Sequence, residues 1–200
     1  NNSVSLAGGS ENFKAYFSYG NVFSHGMTPE NTYRSHNLNT KVDFKVLDHV
    51  YVDFSAKYSN QYSKNQAAAG YLFNPLTGAY LAPRGIDWNY YKDNYEVYDP
   101  ARGCNVQNWT NTELQQYGNP YWMLHRQTPI SNRNRYEFGG SIKWDITPDV
   151  NIQGRMRYER GEEQYTHNLY ASSVGNYYPM GRMKNNRYFS DQLYGDVLVN

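Results

Sequence analysis

The chain has 200 residues, a mass of 23.3 kDa and a formal net charge of +1 at pH 7. This balance argues against a surface that works by bulk charge, so nucleic acid and anionic membrane surfaces are weak partners. The 22 tyrosines exclude disorder over most of the length, because disordered chains are poor in aromatic residues. Cys104 is the only cysteine, which excludes an internal disulfide and any CxxC metal or redox site.

The N-terminal part of the chain is predicted to be an up-and-down meander of four strands. Apolar and polar residues alternate in each segment, and a period of two places each set on its own face of a strand. The strands are predicted at about 3–7, 13–20, 33–46 and 50–60. Tight turns follow the first and third strands, whereas a longer loop rich in turn-forming residues follows the second.

The alternation stops over residues 61–134, which are predicted to form one long irregular extracellular loop. Such a length of irregular chain is rare in a compact domain unless it is functional. One short helix is expected inside it, because Thr110 and Glu113 have capping-box spacing and Gly118 with Pro120 supplies a stop.

The clearest hairpin covers residues 135–146 and 150–159, joined by a tight turn at 147–149. One face of both strands is apolar, whereas the other is charged enough that it must meet water. A second long loop is predicted at 160–186, followed by a last strand at 187–199. Two structures satisfy such faces: a soluble antiparallel sheet packed on a core, or a membrane barrel with lipid outside and a wet lumen.

The lengths of the connections decide between these two structures. Tight turns follow strands one, three and five, and long connections follow strands two, four and six, so the two groups lie at opposite ends of the sheet. This is the signature of an outer-membrane barrel with its long loops outside the cell. The fold class is therefore predicted as all-β, an antiparallel up-and-down meander forming part of a large transmembrane β-barrel. Seven strands do not give the usual even count, and the chain starts at Asn1 without a signal peptide, so we expect it to be part of a longer chain.

Three stretches of the sequence carry a resemblance to a known family. They are the opening VSLAGGSENFKAYFSYGNVFSHG, the following YRSHNLNTKVD from Tyr33, and the loop motif NPYWML from Asn119. Together they resemble the barrel region of the SusC/RagA family of TonB-dependent outer-membrane transporters. The resemblance spans nearly the whole chain, although the N-terminal plug and the TonB-contacting segment have no counterpart in these residues.

The resemblance implies a barrel of about 22 strands with a plugged lumen, in the outer membrane of a Gram-negative bacterium. Its implied partners are a SusD-like surface lipoprotein that acts as a lid, TonB through a segment outside these residues, and outer-membrane lipid. The implied function is uptake of an oligosaccharide or peptide nutrient.

Candidate ligand contacts come from the long loop and the hairpin. Aromatic faces stack on sugar rings or peptides, and the loop candidates are Trp88, Tyr90, Tyr91, Tyr95 and Trp109. Lumen-facing Arg155 and Arg157 could line the substrate path. Each has a plainer structural interpretation, since loop aromatics also pack a loop against itself or a lid, and charges on a solvated wall are usually paired. The motif residues Asn119, Pro120, Tyr121 and Trp122 are assigned mainly to anchoring the loop.

Two other classes of protein stay open at this point. One is a secreted β-sandwich that binds glycans through exposed tyrosines. The other is a glycan-cleaving enzyme with carboxylates on the polar face, of which Asp53 and Glu159 are the first candidates. The chain has no phosphate-binding loop or nucleophile elbow, and its five histidines lack ligand spacing. We therefore expect no catalytic site, no cofactor and no metal.

Overall fold

The computed structural model describes residues 1–67, 70, 74–110, 118–173 and 178–200. Seven strands form one sheet in the order β1-β2-β3-β4-β7-β8-β9, and every neighbouring pair is antiparallel. Their bounds are β1 Asn2–Gly9, β2 Phe13–His25, β3 Thr32–Leu47, β4 Val50–Lys64, β7 Gln127–Thr147, β8 Val150–Leu169 and β9 Arg182–Val199. The predicted all-β up-and-down meander is confirmed.

The two ends of this sheet differ in their connections. At one end, here named the turn end, short turns join β1 to β2, β3 to β4 and β7 to β8. The second and third of these hairpins carry matching register shifts, at Lys45/Leu47 and at Asp145/Thr147. At the other end, named the loop end, the connections are long, as the sequence predicts.

A small folded unit, here named the loop body, occupies the connection between β4 and β7. Its described elements are α1 Pro75–Leu81, α2 Trp88–Asp93, β5 Glu96–Asp99, β6 Cys104–Gln107 and α3 Pro120–Arg126. Each helix starts at a side-chain cap, because the oxygen of Asn74, Asp87 or Asn119 accepts hydrogen bonds from backbone N–H groups of the first turn. No helix in the described part of the chain is both long and apolar enough to cross a membrane.

One prediction for this connection differs from the structure, and a second lies outside the described residues. The segment 61–134 is not wholly irregular, since β4 continues to Lys64, β7 already starts at Gln127, and the loop body has its own helices and strands. The helix predicted from Thr110 falls on 111–117, outside the described residues. Pro120, predicted with Gly118 as the stop signal after that helix, is the first residue of α3, where a missing N–H costs nothing.

The strands of the sheet run further toward the loop end than the alternation indicates. β8 extends to Leu169 and β9 begins at Arg182, so the predicted loop at 160–186 is much shorter. The reason is that both faces are polar there. Asn60 Nδ2, for example, donates across to Asn132 Oδ1 at 2.9 Å and to Asn134 Oδ1 at 2.8 Å. A ladder of polar pairs is stable as a sheet but leaves no apolar period in the sequence.

Over the part of the sheet nearer the turn end, the register places the apolar side chains of all seven strands on one face, here named the apolar face, and the charged ones on the other, the polar face. Toward the loop end, charged residues such as Arg160 and Asp191 also lie on the side of the apolar face. The apolar face is left open: Ile142 is 57% exposed, Met156 60% and Leu193 69%. The large buried apolar residues of the described chain lie at the loop end instead, and they are Trp109, Trp122, Met123, Leu124 and Leu169. The sheet therefore carries no second packed layer within the described residues, as a β-sandwich would require.

A row of tyrosines borders the apolar face toward the loop end. Their rings lie on the apolar face and their hydroxyl groups bond polar neighbours: Tyr19 Oη lies 2.7 Å from His36 Nδ1, Tyr58 Oη donates to Asn134 Oδ1 at 3.0 Å, and Tyr158 Oη donates to Asp191 Oδ1 at 2.6 Å. Such rings suit a boundary between apolar and aqueous surroundings.

Candidate functional site

The polar face carries a connected set of ion pairs. Glu137 accepts from Lys57 Nζ at 2.8 Å and from Arg157 Nη2 at 2.8 Å, and Arg135 reaches Glu159 at 2.7 Å. Arg155 is paired with Asp196 at 2.5 Å. The predicted path residues Arg155 and Arg157 therefore both bind carboxylates of the same wall, and a ligand would have to compete with those partners.

Arg155 and Arg157 line one shallow depression in the polar face, with a volume of about 710 Å³. The carboxylates of Asp53 and Glu159 lie at its border and are both engaged, by Ser141 and by Arg135 respectively. The register separates the two positions by two strands and four residues, which is about 16 Å at standard strand dimensions. This exceeds the spacing of a glycosidase pair, so the geometry does not support Asp53 and Glu159 as the two carboxylates of a hydrolase.

The motif 119–122 lies at the centre of the loop body. Asn119 and Trp122 have no exposed surface. Asn119 Nδ2 donates to the carbonyls of Asn108 at 2.8 Å and Tyr91 at 3.2 Å, while its Oδ1 caps α3 by accepting from the N–H of Tyr121 at 2.9 Å. Pro120 is also buried, whereas Tyr121 is only half-buried. The contacts of Asn119 thus hold α2, β6 and α3 together.

Trp122 connects the loop body to the connection between β8 and β9. Its Nε1 donates to Ser173 Oγ at 3.1 Å. Gln107 Nε2 donates to the carbonyl of Ser172 at 2.8 Å, and Gln127 Nε2 donates to that of Ser173 at 2.7 Å. The two long connections of the loop end are therefore packed against each other through buried polar contacts.

A second anchor joins Glu96 of β5 to Arg126 of α3. The guanidinium donates to both carboxylate oxygens at 2.8 Å and lies over the rings of Tyr95 and Tyr170, at 5.7 and 5.0 Å from their centroids. The hydrogen bonds from Arg126 hold the pKa of the Glu96 carboxyl below its usual value, and they raise the pKa of Arg126 in turn. This pair is thirty residues apart in the chain, and no local spacing predicts it.

Four of the five loop aromatics proposed from the sequence form one cluster. Trp109 contacts Trp88 at 5.9 Å and Tyr91 at 5.1 Å between ring centroids, and Tyr91 contacts Tyr90 at 5.1 Å. Trp109 is 8% exposed and supports the others, while Trp88 and Tyr90 are exposed. Tyr95 lies apart, with its ring tilted against that of His125 at 4.9 Å between centroids.

The arginines are not part of this cluster. Arg157 lies twelve residues before the loop end of β8 at Leu169, which is about 40 Å along a strand.

In the described part of the chain, no group of three or more His, Cys, Asp or Glu side chains is arranged to hold a metal ion.

A second pocket, of about 390 Å³, was missed by the sequence analysis. It opens on the polar face at the loop end, and its lining includes Gln127, Tyr165, His167, Arg182 and Lys184. The available signal was charge: residues 164–190 contain three basic residues and a histidine but no Asp or Glu.

No known protein family and no curated protein matches the chain. Among the solved structures that the chain matches are two of the ferric-catecholate import receptor Fiu from E. coli K12. The open form aligns with a TM-score of 0.56 at 9% identity, over 98% of this chain and 28% of that receptor. The closed form aligns with a TM-score of 0.47 at 10% identity, over 94% and 24%. The chain has the fold of a segment of a receptor β-barrel.

The match to the open form supports the fold alone, since so low an identity carries no information on ligands. The chain spans about 28% of the length of that receptor. In a barrel of this fold, the polar face is the inner wall and the apolar face is the outside. The ion pairs and both pockets therefore lie on the inner wall, and the loop body stands at one mouth of the barrel.

Proposed function

We propose that this chain is part of an outer-membrane importer that takes up a nutrient with energy supplied through TonB. The observation that carries the proposal is the open apolar face bordered by tyrosines. Contiguous exposed apolar surface on this scale is rare on soluble monomers and typical of a membrane or partner interface.

The height of that face fits a bilayer. On β7 it runs from Tyr136 to Ile146, ten residues apart, or about 33 Å along the strand. With the usual strand tilt of about 40°, this corresponds to roughly 25 Å along the membrane normal, the height of the apolar band in outer-membrane barrels.

The finer assignment follows the sequence resemblance. We propose that the whole protein belongs to the SusC/RagA group and works with a SusD-like surface lipoprotein, importing an oligosaccharide or peptide. The exposed aromatic residues of the loop body support this proposal, because a lid or a ligand would cover them. Trp88 and Tyr90 are the proposed ligand contacts, with Tyr91 and Trp109 behind them and Arg155 and Arg157 further along the inner wall.

The test is to fractionate cells that produce the full-length native protein. We expect it in the outer membrane with heat-modifiable migration, and we expect a lipoprotein to co-purify in mild detergent. A soluble secreted product would refute the proposal. If the protein is in the outer membrane but purifies without a lipoprotein, the importer proposal stands and the proposal of a SusD-like partner is wrong.

A further inference from the structure

The pocket of about 390 Å³ at the loop end is built by four neighbouring strands. Ser63 of β4, Ser131 of β7 and Tyr165 of β8 are consecutive partners in the register, and His167 pairs with both Pro129 and Lys184. All these positions lie on the polar face. The pocket is therefore a feature of the paired sheet rather than of a single loop.

Within the described part of the chain, the two cations of the pocket have no carboxylate partner. Arg182 and Lys184 make no ion pair with any described residue, whereas Lys57, Arg133 and Arg155 on the same face are each bound to a carboxylate. None of the described residues that line the pocket is Asp or Glu. Two cations without a local counter-charge attract an anionic group.

The nearest carboxylate does not neutralise the pair. Glu163 lies on the same face of β8, two residues before Tyr165. It accepts hydrogen bonds from Arg133 Nη2 at 2.7 Å and from Ser131 Oγ at 3.1 Å. Its charge is therefore already balanced by Arg133. The two cations are also oriented by aromatic rings, because Lys184 Nζ lies 5.8 Å from the centre of Tyr165 and Arg182 lies 5.0 Å from that of Tyr178.

The remaining lining suits a hydroxylated ring. Tyr165 offers an aromatic face and Ser63 a hydroxyl group, while the Ser131 hydroxyl, which donates to Glu163, can still accept through its oxygen. Gln127 is 4% exposed, and its Nε2 is held by the carbonyl of Ser173, which fixes the amide orientation. Its Oε1 is buried and has no donor among the described residues, so a ligand hydroxyl that reached the floor would satisfy an unmet acceptor.

We infer that this pocket binds one unit of an acidic sugar, with the sugar carboxylate between Arg182 and Lys184 and the ring against Tyr165. Guanidinium groups bind carboxylates in a bidentate manner, aromatic faces suit the CH face of a sugar, and the volume lies at the lower end of ligand pockets. The inference deepens the proposed import function and rests on it, because it names acidic oligosaccharides as the cargo.

The test is calorimetric binding to the full-length protein in detergent, with tetragalacturonate and the neutral galactose tetrasaccharide as probes. We expect tighter binding of the acidic probe, and a loss of about tenfold or more in its affinity in Lys184→Gln and in Arg182→Gln. Affinity for the neutral probe should stay unchanged in both variants. Arg187→Gln is the matched control, since Arg187 lies on the same strand but on the opposite face, and we expect an effect below twofold.

The inference is overturned if the two probes bind with equal affinity, or if the variants bind the acidic probe normally. It is also overturned if an acidic tetrapeptide binds more tightly than tetragalacturonate. Heat-modifiable migration of each variant shows whether it is folded. An outer-membrane importer with an unselective pocket would refute the acidic-sugar assignment alone, whereas a protein absent from the outer membrane would refute the import function independently of the binding result.

Discussion

Replacing Ile142 with arginine tests directly whether the apolar face meets lipid. Ile142 lies near the middle of the face on β7, between Tyr136 and Ile146, and its side chain is 57% exposed. The chain itself therefore loses little packing when the side chain changes. In water, such a surface substitution would alter the free energy of unfolding by about 0.5 kcal/mol or less.

In a bilayer the same substitution has a much larger effect. An arginine near the midplane of a barrel destabilises it by about 2–4 kcal/mol, which is roughly a 30-fold to 1,000-fold change in the unfolding equilibrium. The matched control is Ser141→Arg, one residue away on the polar face, where the new cation lies beside Asp53. We expect the control to stay within about 1 kcal/mol of the native protein.

The assay is urea unfolding of the full-length protein in lipid vesicles. Unfolding is detected as the loss of heat-modifiable migration on a gel. A lower unfolding midpoint for Ile142→Arg, with little change for Ser141→Arg, is the expected pattern. If both variants unfold with the native midpoint, the apolar face does not contact lipid and the membrane argument is wrong.

Three further predictions concern the loop body. Trp122→Ala should destabilise it by about 3–5 kcal/mol, seen as faster limited proteolysis within the loop body while the sheet stays protected. Because the folded-state pKa of Glu96 is lowered, the stabilisation from its pair with Arg126 is present above the usual value of 4.5 and is lost as pH falls through the depressed pKa. Hydrogen-exchange protection of the loop body, corrected for the pH dependence of the intrinsic exchange rate, should therefore fall over that range in the native protein but not in Glu96→Gln. Trp88→Ala should weaken ligand binding without a change in stability, whereas Trp109→Ala should destabilise the loop body, as thermal unfolding and binding on the same samples will show.

The sequence was sufficient wherever one face of a strand is apolar and the other charged. The segments 50–60, 135–146 and 150–159 are strands with the predicted faces, and each tight turn is in its predicted place. The strand ends could not be predicted where both faces of the sheet become polar, toward the loop end. Asn60 and Asn132 stabilise the sheet by side-chain hydrogen bonds across strands, and such pairs leave no period in a linear sequence.

The candidate site was predictable only in part, for a related reason. Aromatic content pointed to the loop, and Trp88, Tyr90, Tyr91 and Trp109 do lie together. Which of them is exposed depends on packing that brings distant segments together. The loop-end pocket needs four strands in register, so its cations become neighbours only after the sheet has formed.

The attachment of the loop body makes it an exchangeable module. The chain leaves the sheet at Asn65 and returns at Gln127 on adjacent strands, and the N–H of Asn65 donates to the carbonyl of Pro129 at 2.8 Å. Its entrance and exit therefore share one strand pair, and a different insert grafted there would leave the wall of the barrel untouched. The connection between β8 and β9 is the exception, because Tyr170, Ser172 and Ser173 contact the insert from there. A successful graft would carry both connections together, and natural exchange of ligand specificity should follow the same rule.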